Sequence, residues 1–245
     1  MPNRATKHDW RVRGVLLDID GTLLDSNDAH ARAWVEAFEG AGLSLPFSLV
    51  REKIGKGGDN LLWDLAGLPE GSRQAETIST HRKHIFHTFL ADLGPTPGAR
   101  ALLLRMRAEG LTQVVATSAS KDELEGLLTA AGIADLLGAD ARVTADDAER
   151  SKPDPDILRA AVARANIPQH ELVMLGDTPY DVQAAKKAGV ATIALRSGGW
   201  RDRDLRGAVA IYDDPADLLA HYDSSPLVKV LAANALAHAP RSEAS

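Results

Sequence analysis

Asp18 and Asp20 close the apolar run GVLLDID, one residue apart, and Gly21 follows at once. A carboxylate at the mouth of a hydrophobic strand is costly to desolvate unless its charge is compensated. A second acidic pair stands in MLGDTPYD, where Asp177 ends another apolar run and Asp181 lies in the first turn beyond it. If the two runs are neighbouring strands, three or four carboxylates converge on one small volume and raise one another's pKa values. A divalent cation relieves that repulsion. The all-oxygen donor set, with no His or Cys beside it, suits a hard ion, Mg²⁺ or Ca²⁺, better than zinc. Ser118, closing VVATS, adds a hydroxyl and a backbone N–H, and Lys152, in SKPDP, adds a cation just ahead of a proline-marked helix start. A metal, a lysine, a hydroxyl and helix N-termini together are what a bound phosphoryl group needs.

These residues need a scaffold that gathers strand ends. From residue 95 onward, short apolar runs alternate with amphipathic segments: LTQVVATS, ARVTADD, ELVMLGD, ATIALRS and VAIYDD read as buried parallel strands. KDELEGLLTAAG, PDPDILRAAVARANIP and PYDVQAAKKAGV read as the helices between them. The pattern predicts an α/β fold, a doubly wound parallel sheet whose ligands bind beyond the carboxyl ends of the strands. Residues two apart on a strand point the same way, so Asp18 and Asp20 are both expected at that end. The run 14–20 precedes the next strand by about ninety residues, far beyond an ordinary crossover. The intervening segment carries helical patterns only, in HARAWVEAFEGAG, IGKGGDNLLWDLAG and AETISTHRKHIFHTFLADLG. It is expected to fold as a small helical lid over the strand ends.

The apolar and charged fractions, 44% and 25%, are those of a soluble globular protein, and the formal net charge is -6. That balance favours neither nucleic acid nor an anionic membrane as partner, since both attract a basic face. There is no cysteine, which excludes disulfides and thiolate-held metals. The N-terminal stretch lacks the apolar core of a secretory signal, so a cytoplasmic location is expected, as a monomer or weak homodimer.

DIDGT, a strand-ending Ser, KPDP and GDTPYD, in this order, resemble the four motifs of the haloacid dehalogenase superfamily. The likeness spans residues 14 to about 200 and is greatest to the branch holding phosphoglycolate phosphatases and β-phosphoglucomutases. It implies a helical cap of residues 27–94 on a catalytic core of residues 1–26 and 95–225; the last stretch, residues 226–245, reads from its short apolar segment and small-residue tail as a C-terminal extension. By the same resemblance Asp18 is the nucleophile, forming an aspartyl-phosphate, and Asp20 the general acid and base. Mg²⁺ is then held by Asp18, the Asp20 carbonyl and Asp177, with Asp181 supporting a metal-bound water. Ser118, or less favourably Thr117, binds phosphoryl oxygens, Lys152 offsets charge, and Thr22 belongs to the segment joining core and cap.

Several positions admit a plainer reading. Asp181 also fits a helix cap, and Ser118 a turn hydrogen bond. His30 either touches substrate or the general acid, as the resemblance implies, or is a partly buried structural histidine. Lys56 stands at a glycine-rich helix start where an anion could bind, or in a loop as a solvated lysine. Trp34 and Trp63 are expected in the core of the helical segment. His81, Arg82, Lys83, His84 and His87 are expected on one exposed helix face. The implied function is a Mg²⁺-dependent phosphatase of a small phosphorylated metabolite, of sugar phosphate or phosphoglycolate type. A β-phosphoglucomutase-like phosphomutase is the alternative, but the loop GKGGDN lacks that group's arginine. Asp20 argues against a dehalogenase, and the joint presence of Asp18 and Asp20 argues against a non-catalytic phosphate-binding protein.

Overall fold

A computed structural model describes residues 11–228; most of the expected C-terminal extension lies outside the described residues. Among them, six strands form one parallel sheet: β1 (Gly14–Leu17), β2 (Thr112–Ala116), β3 (Arg142–Val143), β4 (Leu172–Gly176), β5 (Ala191–Leu195) and β6 (Ala210–Tyr212). Their order is β3-β2-β1-β4-β5-β6. β1 therefore sits between β2 and β4, with Leu17 level with Val115 on one side and Leu175 on the other. The connections diverge at β1, which creates a crevice beyond the strand ends.

Four helices lie between β1 and Gly94: α1 (Asn27–Gly40), α2 (Phe47–Arg51), α3 (Gly58–Ala66) and α4 (Arg73–Phe89). The remaining helices are α5 (Ala99–Ala108), α6 (Lys121–Ala130), α7 (Asp156–Ala165), α8 (Pro179–Ala188) and α9 (Pro215–Ala220). Alternation along β1 divides the core. Val15 and Leu17 face Leu102, Met106, Leu127 and Leu218 of α5, α6 and α9. Leu16 faces Ile157, Leu158, Ala184 and Ala185 of α7 and α8. With both faces covered, strands such as LVMLG are buried throughout, which is why they read as unbroken apolar runs. The run ARVTADD yields only a two-residue strand, because Thr144 and Asp147 form a capping box that starts a 3-10 turn.

Helices α1 to α4 enclose a separate apolar cluster that includes Trp34, Phe38, Val50, Leu61 and Ile78. Trp63 departs from expectation: it is 61% exposed, because Leu61 and Leu62 take the inward face of α3 and the next position turns about 100° away. The basic run on α4 also needs correcting. His81, Lys83, His84 and His87 are exposed, but Arg82 is drawn inward because it shares its helix face with Ile78 and Phe86, each four residues away. The contrast is measurable by urea denaturation. Phe38→Ala is expected to cost about 3–5 kcal/mol, and Trp63→Ala to stay within about 0.5 kcal/mol. Equal costs would contradict this placement of the two rings.

Candidate active site

The Asp18 N–H still donates to the Leu175 carbonyl at 3.0 Å, after which the chain leaves the sheet. The N–H groups of Leu23 and Leu24 both return to the Ile19 carbonyl, at 2.8 and 3.0 Å. The sequence places Asp18 and Asp20 on one strand face; instead β1 ends at Leu17, and a turn brings Asp20 to the same cavity wall. Gly21 makes that turn with φ 75, where a Cβ would lie 2.2 Å from Asp177 Oδ2. Gly198 presses on the same carboxylate, its Cβ position being 2.1 Å from Asp177 Oδ2. Two glycines are therefore required for the backbone to close around one carboxylate.

Parallel register brings Asp18 beyond β1, Ser118 beyond β2 and Asp177 beyond β4 to the same end of the sheet. Carboxylate oxygens of Asp18, Asp177 and Asp181 all lie within 4.8 Å of one another, and the three residues are buried. Lys152, 1% exposed, enters this cluster from the segment before α7. Its Nζ donates to Asp18 Oδ1 at 2.7 Å and to the Ala116 carbonyl at 2.9 Å. It also lies 2.8 Å from Asp181 Oδ1, an ion pair without hydrogen-bond alignment. The other Asp181 oxygen accepts from the Thr178 N–H and hydroxyl at 3.1 and 2.7 Å. Asp181 thus caps α8 and faces the acidic cluster at once. Asp177 accepts from the Thr22 hydroxyl at 3.0 Å and from Asn27 Nδ2 at 2.8 Å.

One ammonium does not offset three buried carboxylates. Burial, with repulsion from Asp181, Asp177 and Asp20, holds the Asp18 carboxyl well above its ordinary value despite the pull of Lys152. Burial, with repulsion from Asp181, pushes Asp177 up to about 7, against the hydrogen bonds of Asn27 and Thr22. For Lys152 burial opposes the charge, but Asp18 and Asp181 outweigh it and its pKa is raised. The donor set fits a hard divalent cation: oxygens only, clustered, buried and short of positive charge.

Asp20 differs from the other two. Burial works against its charge, but His30 and then Ser26 and Arg82 outweigh burial, and its pKa is lowered. It accepts from the Ser26 hydroxyl at 2.6 Å and lies 2.8 Å from His30 Nε2. His30, on α1, is stacked on Phe86 with ring centroids 3.8 Å apart. The histidine is therefore both packed and in contact with Asp20, which joins the two sequence alternatives.

Asp18, Asp20, His30 and Ser118 line a cavity of about 60 Å³, with Lys56 and Arg82 on its wall. Ser118 Oγ is buried without a hydrogen-bond partner among the described residues. Thr117, fully buried, accepts from the Ala119 N–H instead. Thr22 lies behind the cluster, its hydroxyl given to Asp177. The Lys56 ammonium is paired with Asp64 of its own helical layer. Sequence reasoning missed Ser26, Asn27, Arg82, Glu123 and Gly198. Ser26 and Asn27 had a legible signal, since polar residues directly after DIDGTLLD start the helix that covers the aspartates.

A family model described as haloacid dehalogenase-like hydrolase matches residues 12–189. A phosphoglycolate phosphatase of Cereibacter sphaeroides is 34% identical over 85% of this chain and 98% of its own. One of Nitrosospira multiformis is 30% identical over 79% of this chain and 87% of its own. The crystal structure of a hydrolase from Pseudomonas syringae superposes with a TM-score of 0.80, at 32% identity, covering 86% of this chain and 98% of that one. Among the described residues, no helix is long and apolar enough to cross a membrane.

The acidic cluster has a signature in stability. Acids with raised pKa values keep protons that the unfolded chain has lost, so metal-free protein is expected to lose stability as pH rises from about 4 to about 7. Thermal unfolding in chelator should show this fall, and Asp177→Asn should flatten it. A wild-type Tm that is constant or rising through the window, or a variant with the same slope, would contradict the assignment.

Proposed function

This chain belongs to the haloacid dehalogenase-like hydrolase family, and on that premise we propose a Mg²⁺-dependent phosphatase acting through an aspartyl-phosphate on Asp18. Its substrate is a small phosphomonoester of sugar phosphate or phosphoglycolate type. The observation that carries the reading is Asp18: a buried carboxylate tied to Lys152, beside Asp177 and Asp181, on the wall of a cavity that Asp20 and Ser118 also line. In this reading residues 27–94 are a cap over a core of residues 1–26 and 95–225. The enzyme works in the cytoplasm as a monomer or weak homodimer.

Asp18 and Asp177, with the Asp20 carbonyl and Asp181 nearby, would hold Mg²⁺. When bound, the ion offsets the carboxylate charge and polarises the phosphoryl group as a Lewis acid. The lysine contact fixes the Asp18 rotamer and keeps positive charge beside the incoming phosphate. Ser118 Oγ, unpartnered, donates to a phosphoryl oxygen. Thr22 and Asn27 hold Asp177 in place.

A carboxylate oxygen of Asp18 attacks phosphorus as the bond to the leaving oxygen breaks, and the Asp20 carboxyl gives that oxygen its proton. Asp20 is ionised before substrate arrives, because His30 and Ser26 hold its pKa down. A phosphoryl dianion placed between Asp20 and Asp18 raises it again by charge repulsion, so the proton is taken up with substrate. Water then attacks the acyl phosphate at phosphorus, Asp20 takes its proton, and Asp18 and phosphate are released.

Phosphate release from two-carbon and sugar phosphates and from an aryl phosphate is expected only with Mg²⁺. Asp18→Asn is expected to lower kcat by at least about 10³-fold, and Asp20→Asn by about 10²–10⁴-fold. Undiminished turnover in Asp18→Asn would overturn the reading. So would isomerisation of a sugar phosphate with the phosphate retained.

A further inference from the structure

The reaction cavity does not end at the phosphoryl site. It abuts a second, wider cleft of about 500 Å³ between α3, α4 and the loops beyond β2 and β3. Trp34, Gly58, Arg82, Ser118 and Glu123 border both spaces. The inner volume of about 60 Å³ holds only a few waters at about 10–15 Å³ each. A phosphoryl group nearly fills it, and the rest of a substrate must meet this boundary.

The boundary is a charge pair contributed by two parts of the chain. Arg82, on α4, places a guanidinium nitrogen 2.6 Å from Glu123 Oε1, on α6, and both side chains are mostly buried. The guanidinium carbon lies 5.2 Å from the Trp34 ring centroid and 5.9 Å from that of Phe86. Glu123 accepts a second bond from the Ser120 hydroxyl at 3.0 Å. Arg82 is therefore already neutralised before any ligand arrives. Around it the outer cleft carries five carboxylates, Asp59, Glu70, Glu76, Glu123 and Asp146, against two cations, Arg82 and Lys83. A carboxylate or second phosphate on the substrate would enter a field of its own sign.

The polar atoms left unmet along this wall call for a ligand that both donates and accepts. Arg82 Nε and Asp59 Oδ1 are buried and have no hydrogen-bond partner among the described residues. The first is a donor and the second an acceptor. Carboxylate and phosphate oxygens only accept, and cannot satisfy Asp59 or the remaining lone pairs of Glu123. Hydroxyl groups donate and accept.

We propose that Arg82 and Glu123 together read the non-reacting end of the substrate, and that Glu123 selects an uncharged, hydroxyl-bearing group against one carrying a second negative charge. This rests on the phosphatase reading and narrows its substrate class to sugar and polyol monophosphates.

Glycerol 3-phosphate and 3-phosphoglycerate share a carbon skeleton and differ in a terminal hydroxymethyl or carboxylate group, so they make a matched pair. With Mg²⁺, wild type is expected to favour the glycerol ester in kcat/KM by at least about tenfold. Glu123→Gln should shrink that ratio about tenfold through the KM of the carboxylate, and Asp59→Asn should shrink it in the same direction. A ratio cancels any general loss of activity, and the wild-type value stands if a variant fails to fold. A wild type that prefers 3-phosphoglycerate, or a ratio unmoved in folded Glu123→Gln, overturns the proposal alone, provided that an aryl phosphate is hydrolysed. If wild type hydrolyses none of the three esters, the phosphatase reading falls and this inference falls with it.

Discussion

A lysine ammonium buried among aspartates is the interaction on which the rest of this structure depends. Lys152 is almost wholly removed from water, and it can stay charged only because Asp18, Asp181 and the Ala116 carbonyl surround its Nζ. Those partners come from β1, α8 and β2, which meet only if β1 lies between β2 and β4. Strand order and charge compensation are therefore the same constraint seen at two scales. The apolar faces of the sheet supply the driving force for burial, and the ends of its central strands carry a cluster with excess negative charge. A divalent cation would complete that balance.

Around the cluster the chain gives up side chains so that backbone can approach. Gly21 and Gly198 flank Asp177 at distances no Cβ could occupy. Thr22 and Asn27 then use the segment between β1 and α1 to hold the same carboxylate. The helix that begins at Asn27 also carries His30 to Asp20, so the first covering helix and the first two aspartates are set by one continuous stretch. Residues 18 to 30 thus carry two of the aspartates and begin the helix that covers them.

Much of this was legible in the sequence for physical reasons. Buried parallel strands show as apolar runs, and polar residues ending them mark the sheet edge where ligands bind; Asp18, Ser118 and Asp177 follow from that, and Lys152 from the proline-marked helix start behind it. Two things were not legible. Strand parity for Asp18 and Asp20 failed because the strand ends at Leu17 and a turn takes over. Arg82 was hidden in a run of basic residues, and only the packing of Ile78 and Phe86 reveals which of those residues faces inward. Glu123 had no local signal at all, since its partner is 41 residues away. Contacts between the helical layer and the sheet depend on how two amphipathic surfaces meet, and periodicity does not encode that.

The central claim is that Asp18 carries the phosphoryl group during turnover. Single-turnover reaction of the Mg²⁺-loaded protein with its best phosphomonoester, quenched in acid and mapped by peptide mass spectrometry, tests it most directly. A transient acyl phosphate on Asp18 that forms and decays at rates compatible with kcat is expected. Phosphate found on another side chain, or turnover with no covalent adduct at any time point, would contradict it.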